Sequence, residues 1–313
     1  MRVIEYQDSY KVQWDDFITS SKNNIFMFHR DYMEYHKDRF HDHSLIFVDD
    51  TETIQALLPA SSSELGLISH GGLTFGGFVT SRDCKSNVLG EAWKTCIDYC
   101  KERNISKLIY KPVPYIYDPI PNEADLYFLW ASGAKVIRRD LATTISNSCI
   151  FKLPKGRKAQ INRAKREGVV VEESYDFISF IDLENDVLRE RHNTKATHTG
   201  RELELLASRF PDNIKLFTAK RNGQLLAGAV LYLYPHIVHT QYLASSNEGR
   251  RIGALDLVIF HLLEKYKDSV NYFDFGISTE AQGKVLNEGL LAQKESFGGR
   301  SVIYDTYEIE LTK

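Results

Sequence analysis

Apolar positions along this chain change period at short intervals. Alternation marks strands in "MRVIEY", in "HSLIFVDD" and in "TIQALLPASSS", with an Asp-Asp turn between the last two. Helical spacing marks "YKVQWDDFITSS", with Val12, Trp14 and Phe17 as its apolar residues. It also marks "VLGEAWKTCIDYCKERN", where Leu89, Trp93, Ile97 and Cys100 form one side. "ISKLIYKPVP" is a strand stopped by proline, and "ADLYFLWASGA" is a short helix closed near Gly133. Between "TIQALLPASSS" and "VLGEAWKTCIDYCKERN" stands "LGLISHGGLTFGGF". Its Gly71, Gly72, Gly76 and Gly77 make a loop whose backbone can approach another strand or a ligand.

Near residue 150 the pattern starts again. "KGRKAQINRAKREGVVVEES" is a helix ended at Gly168 and then a strand. Two helical stretches follow, "YDFISFIDLENDVLRERHNT" and "RELELLASRF". "NIKLFTAKRNGQLLAGAVLYLYPHIVHTQYLAS" then reads as three strands with an Asn-Gly turn. "ALDLVIFHLLEKYKD" is a helix with Leu255, Ile259, Leu262 and Leu263 as core. "NYFDFGIS" is a strand, "NEGLLAQKESFG" a short helix and "SVIYDTYEIELTK" a closing strand. Strand, hairpin, helix, strand is thus repeated, which predicts two related α/β domains with mixed sheets. The expected division is 1–150 and 151–313, with the final strand, 301–313, open to assignment to either domain.

The 313 residues suit two domains, and a 43% hydrophobic content supports buried cores. A net charge of −3 gives general nucleic-acid binding no support. Cys84, Cys96, Cys100 and Cys149 have no histidine or acidic companions at ligand spacing, so reduced structural thiols are expected and no metal site. No apolar run reaches membrane-spanning length and the N-terminal stretch lacks the apolar core of a secretion signal, so a cytoplasmic protein is expected.

Six segments, "YKPVPYIYDPIP", "KGRKAQINRAKREGV", "VHTQYLAS", "FDFGIS", "LNEGL" and "QKESFG", carry a resemblance in their order and spacing. The chain resembles the FemA/FemB/FemX peptidyltransferases and their FemAB-like acetyltransferase relatives, in which two domains of GNAT acetyltransferase fold stand in tandem. That resemblance implies two tandem GNAT-like acyl-CoA N-acyltransferase domains, the second binding the donor. It implies acyl transfer to an amine of an amino sugar, a nucleotide-linked sugar or a peptide made for the cell surface, as in envelope or polysaccharide synthesis. Acyl-CoA is the implied co-substrate. The alternative is an aminoacyl-tRNA-dependent peptidyltransferase on a cell-wall precursor. Against it, no heptad-like helical arm is legible. A non-catalytic sugar- or peptide-binding protein with a decayed acyltransferase fold is the third reading.

The candidate chemistry gathers at several places. In "YFDFG", Phe273 and Phe275 share one strand face and Asp274 the other. Asp274 is expected to point into a cleft, to accept a hydrogen bond from substrate or to act as a base once its pKa is raised. In the related peptidyltransferases the lysine of "QKESFG" sits near the reacting carbonyl, which implies that Lys294 stabilises the oxyanion. His239 is a base or a bridge between neighbours, and Tyr242 a donor to the departing group. Ser278, Glu280 and Asn287 occupy the loop region after the strand as acceptor contacts. Arg157 and Arg163 stand in a basic helix suited to phosphates. Lys111, Tyr115 and His70 are acceptor-side candidates from the first domain. His192 and His198 are placed at the edge of the second-domain pocket. "RRIGAL" is the nearest match to the GNAT pyrophosphate loop, with Arg250 and Gly253 as its anchors and Leu255 where glycine or alanine is expected. No Ser-His-Asp or Cys-His set is legible, which points to direct transfer without a covalent intermediate.

Overall fold

The computed structural model describes residues 1–311 apart from 65 and 150, and the side chains of residues 191 and 192 lie outside that description. The His192 imidazole is therefore outside the described residues. The chain forms two units: Met1–Leu141, Thr279–Val285 and Ile303–Lys313 in the first, Ala142–Ser278 and Leu286–Val302 in the second.

The first unit contains β1 (Arg2–Glu5), α1 (Lys11–Ser20), α2 (Arg30–Met33), β2 (His41–Asp42), β3 (Leu45–Val48), β4 (Ile54–Leu58), β5 (Ser61–Ser63) and β6 (Gly66–Ile68). It continues with β7 (Val79–Thr80), α3 (Ser86–Glu102), β8 (Lys107–Tyr110) and α4 (Ala124–Ala131). β1, β3, β4 and β7 make an antiparallel sheet in that order. α3 buries Leu89, Trp93, Cys96, Tyr99 and Cys100, the 3-4 spacing its sequence carries. In α1 the inward residues are Trp14 and Ile18, whereas Val12 is 69% exposed. Trp14 fixes that choice, because its indole N–H donates to the buried Phe28 carbonyl at 2.8 Å and the i+4 residue follows it inward.

β9 (Lys135–Ser146) leads into the second unit, which holds α5 (Lys155–Arg166), β10 (Val170–Ser174), α6 (Phe177–His192), α7 (Gly200–Arg209), β11 (Ile214–Arg221), β12 (Gln224–Tyr234) and β13 (Ile237–Ser245). α8 (Asn247–Ile252), α9 (Ala254–Tyr266) and β14 (Tyr272–Ile277) come next. A ribbon of β15 (Thr279–Glu280) and β16 (Val285–Leu286) precedes α10 (Glu288–Glu295) and β17 (Arg300–Glu310). The sheet order in this unit is β10-β11-β12-β13-β14-β9. Every pair in it is antiparallel except β13 with β14.

Asn222 and Gly223 join β11 to β12 with φ of 52° and 79°, the backbone a tight twisted hairpin requires. On one sheet face α9 buries Ala254, Leu257, Val258, Ile259 and Leu262 against Phe217, Ala229, Val238, Phe273 and Phe275. Leu255 and Leu263 pack only at the edge of that core. The opposite face belongs to α6: a Cβ on Gly228 would come within 2.8 Å of the Phe180 ring. Among the described residues, no helix is long and apolar enough to cross a membrane.

Candidate active site

The parallel ladder between β13 and β14 has three pairs and ends at His239 opposite Asp274. β13 continues to Ser245 and β14 to Ile277 without further pairing to each other. The place where the two strands part is where the polar side chains of this unit collect.

Asp274 is 0% exposed. Its carboxylate accepts from the Thr144 hydroxyl at 2.8 Å and from the Gly276 N–H at 3.0 Å. His239 Nδ1 lies 2.7 Å from the other carboxylate oxygen. With the carboxylate accepting throughout, Nδ1 carries the proton and donates it. In the neutral tautomer this leaves Nε2 as the basic nitrogen. The expectation that Asp274 faces a cleft and touches substrate is thus corrected: Phe273 and Phe275 do anchor in the core, but His239 and Thr144 cover the acid from the other side. Asp274 orients a histidine.

Gly276 adopts φ of 69°, and a Cβ there would stand 3.0 Å from His239 Cε1. A glycine is needed both for the backbone and for the approach of the ring. The same turn of backbone supplies two carbonyls to Lys294. Its Nζ donates to Gly276 O at 2.9 Å and Ile277 O at 2.5 Å. Lys294 is 4% exposed, and burial lowers its pKa to about 8 against the opposing pull of the Asp274 charge. α10 presents this lysine from a capped start, since Asn287 Oδ1 accepts from Leu290 N at 2.9 Å. Asn287 also donates its own N–H to Ser278 O at 2.9 Å, which closes the loop, so its side chain is a cap and not an acceptor contact.

Two buried hydroxyls near the parting, Thr240 Oγ1 and Ser278 Oγ, have no hydrogen-bond partner among the described residues. Buried hydroxyls are usually paired, so such atoms suit a bound substrate or water. Tyr242 stands on the same sheet face as His239, because the register skips Gln241 and pairs Tyr242 with Val230 and His239 with Tyr232. Its hydroxyl accepts from the His198 N–H at 3.2 Å and lies 2.7 Å from His198 Nδ1. Tyr242 is therefore already held by His198.

Other sequence candidates lie elsewhere or serve structure. Arg157 pairs with Asp256 at 2.6 Å, donates to Ser296 Oγ at 2.6 Å and stacks over Phe297, so it staples α5 to the helices beside it and is not a free phosphate site. Arg163 is half-buried on the same helix. Arg250 is not in a loop but inside α8, where it donates to Ser245 O at 2.9 Å and to Asn247 Oδ1. Gly253 joins α8 to α9 at φ of 83°, and a Cβ on it would meet Gln160 O at 2.6 Å. The N–H of Gly249 in α8 is taken by the Ser246 side chain. Gly253 stands directly before α9, whose first turn has no side-chain cap. The glycine serves the close contact with α5.

Glu280 is exposed on the β15–β16 ribbon. Lys111, His70 and Tyr115 all belong to the first unit. Lys111 is half-buried, its Nζ donating to Leu73 O, with a pKa lowered to about 8 by desolvation. His70 is buried at φ of 50°, accepts from Gly72 N at 3.3 Å and has a pKa pushed down to about 3 by burial and by His36, Lys111 and Arg30. It lines a cavity of about 220 Å³ with Tyr6, Arg30, Phe40 and Asp42. Tyr115 is 52% exposed.

Thr144 and Thr240 were not legible as site residues. Thr144 lies on β9, and only the pairing Asp274–Thr144 shows that it faces the acid. Thr240 sits in the strand "VHTQY" beside two candidates, and its hydroxyl among apolar neighbours is the signal that was there.

Residues 155–282, which include His239 and Asp274, match the family model described as an acetyltransferase (GNAT) domain. No curated protein sequence matches the chain. Three solved structures cover nearly all of it. FemX has a TM-score of 0.69 at 14% identity, over 99% of this chain and 97% of that one. L-PGS from Bacillus licheniformis has 0.64 at 14%, over 99% and 93%. A tandem GNAT protein from the clavulanic acid biosynthesis pathway has 0.55 at 10%, over 100% and 99%. The fold is a tandem GNAT-like one. At these identities the likeness concerns fold, and the chemistry must be argued from the site.

Proposed function

We propose that the protein transfers an acyl group from an activated donor to an amine, in the second unit, by direct attack. The observation that carries this is the His239–Asp274 pair at the parting of β13 and β14, with Lys294 behind Gly276. The acceptor nitrogen attacks the donor carbonyl carbon and the C–N bond forms. His239 Nε2 takes the proton the nitrogen loses and returns it to the leaving oxygen or sulfur as the donor bond breaks. Asp274 holds the ring and stabilises the imidazolium while it exists. The buried Lys294 ammonium supplies positive charge next to the site, where negative charge builds on the carbonyl oxygen.

For the donor, an aminoacyl ester on tRNA is the reading we favour. Two observations support it: the full-length likeness to FemX and L-PGS, and the engagement of the Arg250 side chain by Ser245 O and Asn247 Oδ1. Acyl-CoA is the second reading, supported by the acetyltransferase (GNAT) model over residues 155–282. The acceptor class is an amino sugar, a nucleotide-linked sugar or a peptide precursor of the cell surface.

Native mass spectrometry with charged tRNA, acetyl-CoA and longer acyl-CoAs offered separately decides the donor. A saturable complex with charged tRNA alone, lost with added salt, supports the first reading. A saturable acyl-CoA complex supports the second. No complex with any of them, with sugar binding retained, overturns both in favour of a binding-only protein.

A further inference from the structure

α6 carries a residue that its pattern does not explain. The buried positions of this helix are Phe177, Phe180, Ile181 and Glu184, spaced as an apolar stripe that a leucine would continue. Glu184 is only 8% exposed, and its Oε2 has no hydrogen-bond partner among the described residues. A buried carboxylate without a partner costs several kcal/mol in general, so a glutamate here is a burden to the fold. Burial accordingly raises its pKa to about 7.

Its position gives the burden a use. Phe180, one turn before Glu184, packs over Gly228. Gly228, Val230 and Tyr232 alternate onto one face of β12, and the last two pair with Tyr242 and His239 of β13. α6 therefore covers the face on which His239 and Tyr242 stand. Glu184 is close enough to Tyr242 for its charge to act on that hydroxyl. His198 holds the same hydroxyl from the α6–α7 connection.

We propose that Glu184 binds the ammonium group of the acceptor on the His239 face, so that the site selects a protonated primary amine over the equivalent hydroxyl. This rests on the acyl-transfer reading for its catalytic meaning. The ammonium cancels a buried charge whose Oε2 has no hydrogen-bond partner among the described residues. It passes one proton to Glu184 and becomes a neutral nucleophile. The proton lost as the C–N bond forms goes to His239 and then to the leaving group. The arrangement also explains why a carboxylate, and not an amide, occupies the stripe.

The test is ligand-observed NMR titration of the full chain with two matched probe pairs, D-glucosamine against D-glucose and cadaverine against 1,5-pentanediol. The wild type is expected to bind the amine of at least one pair about tenfold or more tightly than its hydroxyl counterpart. Glu184→Gln is expected to bring that ratio below about threefold, while Asp182→Asn, an exposed acid on the same helix, leaves it unchanged. Glu184→Leu fills the stripe and is expected to raise the thermal midpoint while abolishing the preference, which separates binding from folding. An amine preference that survives in Glu184→Gln overturns the proposal, and so does a wild type with no preference in either pair. If the preference depends on Glu184 but no donor supports transfer, the acyltransferase reading fails and the amine site stands.

Discussion

Both units hold a lysine, a histidine and an aspartate that are buried or half-buried, and they use them in opposite ways. In the second unit the three are joined: Lys294 bonds the backbone of Gly276, whose N–H bonds Asp274, which bonds His239. In the first unit each polar group has its own local partner. Lys111 is on Leu73 O, His70 on Gly72 N, Asp118 on Asn122 and Asp125 on Tyr110. Burial then pushes each toward its neutral form: Asp118 up to about 7, Asp125 up to about 6, His70 down to about 3. Shifted groups are thus found in both units, and a shift alone does not locate chemistry. What distinguishes the second unit is a connected chain ending on a histidine ring at the end of a strand ladder.

The strongest way to break the comparison is His239→Gln. Transfer is expected to fall about 10²- to 10⁴-fold with the thermal midpoint nearly unchanged. An unaltered rate would make His239 as structural as His70. Asp274→Asn comes next, because it sets an amide N–H donor against His239 Nδ1 while the remaining oxygen can still accept from Thr144 and Gly276. About a 10²-fold loss of rate is expected through misdirection of the His239 ring, with roughly 2 kcal/mol lost in urea unfolding. A stability loss without a rate loss would demote the pair to a core bond.

Matched lysine variants sharpen the contrast. Lys294→Met is expected to slow transfer about tenfold, a modest share of the effect a preorganised donor can have, while Lys111→Met leaves the rate alone. Both lysines have pKa values lowered to about 8. Between there and the unfolded value of roughly 10.4, the unfolded chain binds more protons, so stability rises with pH across that window. Each substitution is expected to remove one lysine's part of the rise, measured as urea midpoints on either side of the window. The smallest effect belongs to the first unit. Asp118 has its pKa raised to about 7, so the folded state binds more protons from roughly pH 4 to 7 and stability falls as pH rises there. Asp118→Asn is expected to flatten that fall without touching transfer. A rate change in this variant would show that the first unit's acids take part in chemistry.

Much of the architecture was legible because periodicity is a local property. The helix over Ser86–Glu102, the Asn222-Gly223 hairpin and the strand holding Phe273 and Phe275 follow from spacings of two, three and four. Asp274, His239 and Tyr242 could be singled out by residue type and strand position, and Lys294 through the resemblance to the peptidyltransferases. Their connections could not. His239 and Asp274 are 35 positions apart, and Thr144 is 130 from Asp274. Only the register of β13, β14 and β9 brings them together. Nor could spacing show that Gly253 closes a helix junction pressed against Gln160. The same holds for Val12, which pattern placed inward and Trp14 displaced.

The sequence by itself determined which segments are strands and helices and which strand face is apolar, because those depend on neighbours a few residues away. Tertiary structure alone decided that Asp274 is hidden, that His239 has its carboxylate partner, that Lys294 is buried and that Glu184 on α6 keeps a buried Oε2 without a partner among the described residues. Burial and pairing are set by residues distant in the chain, and it is burial and pairing that turn an ordinary acid or base into a reactive one.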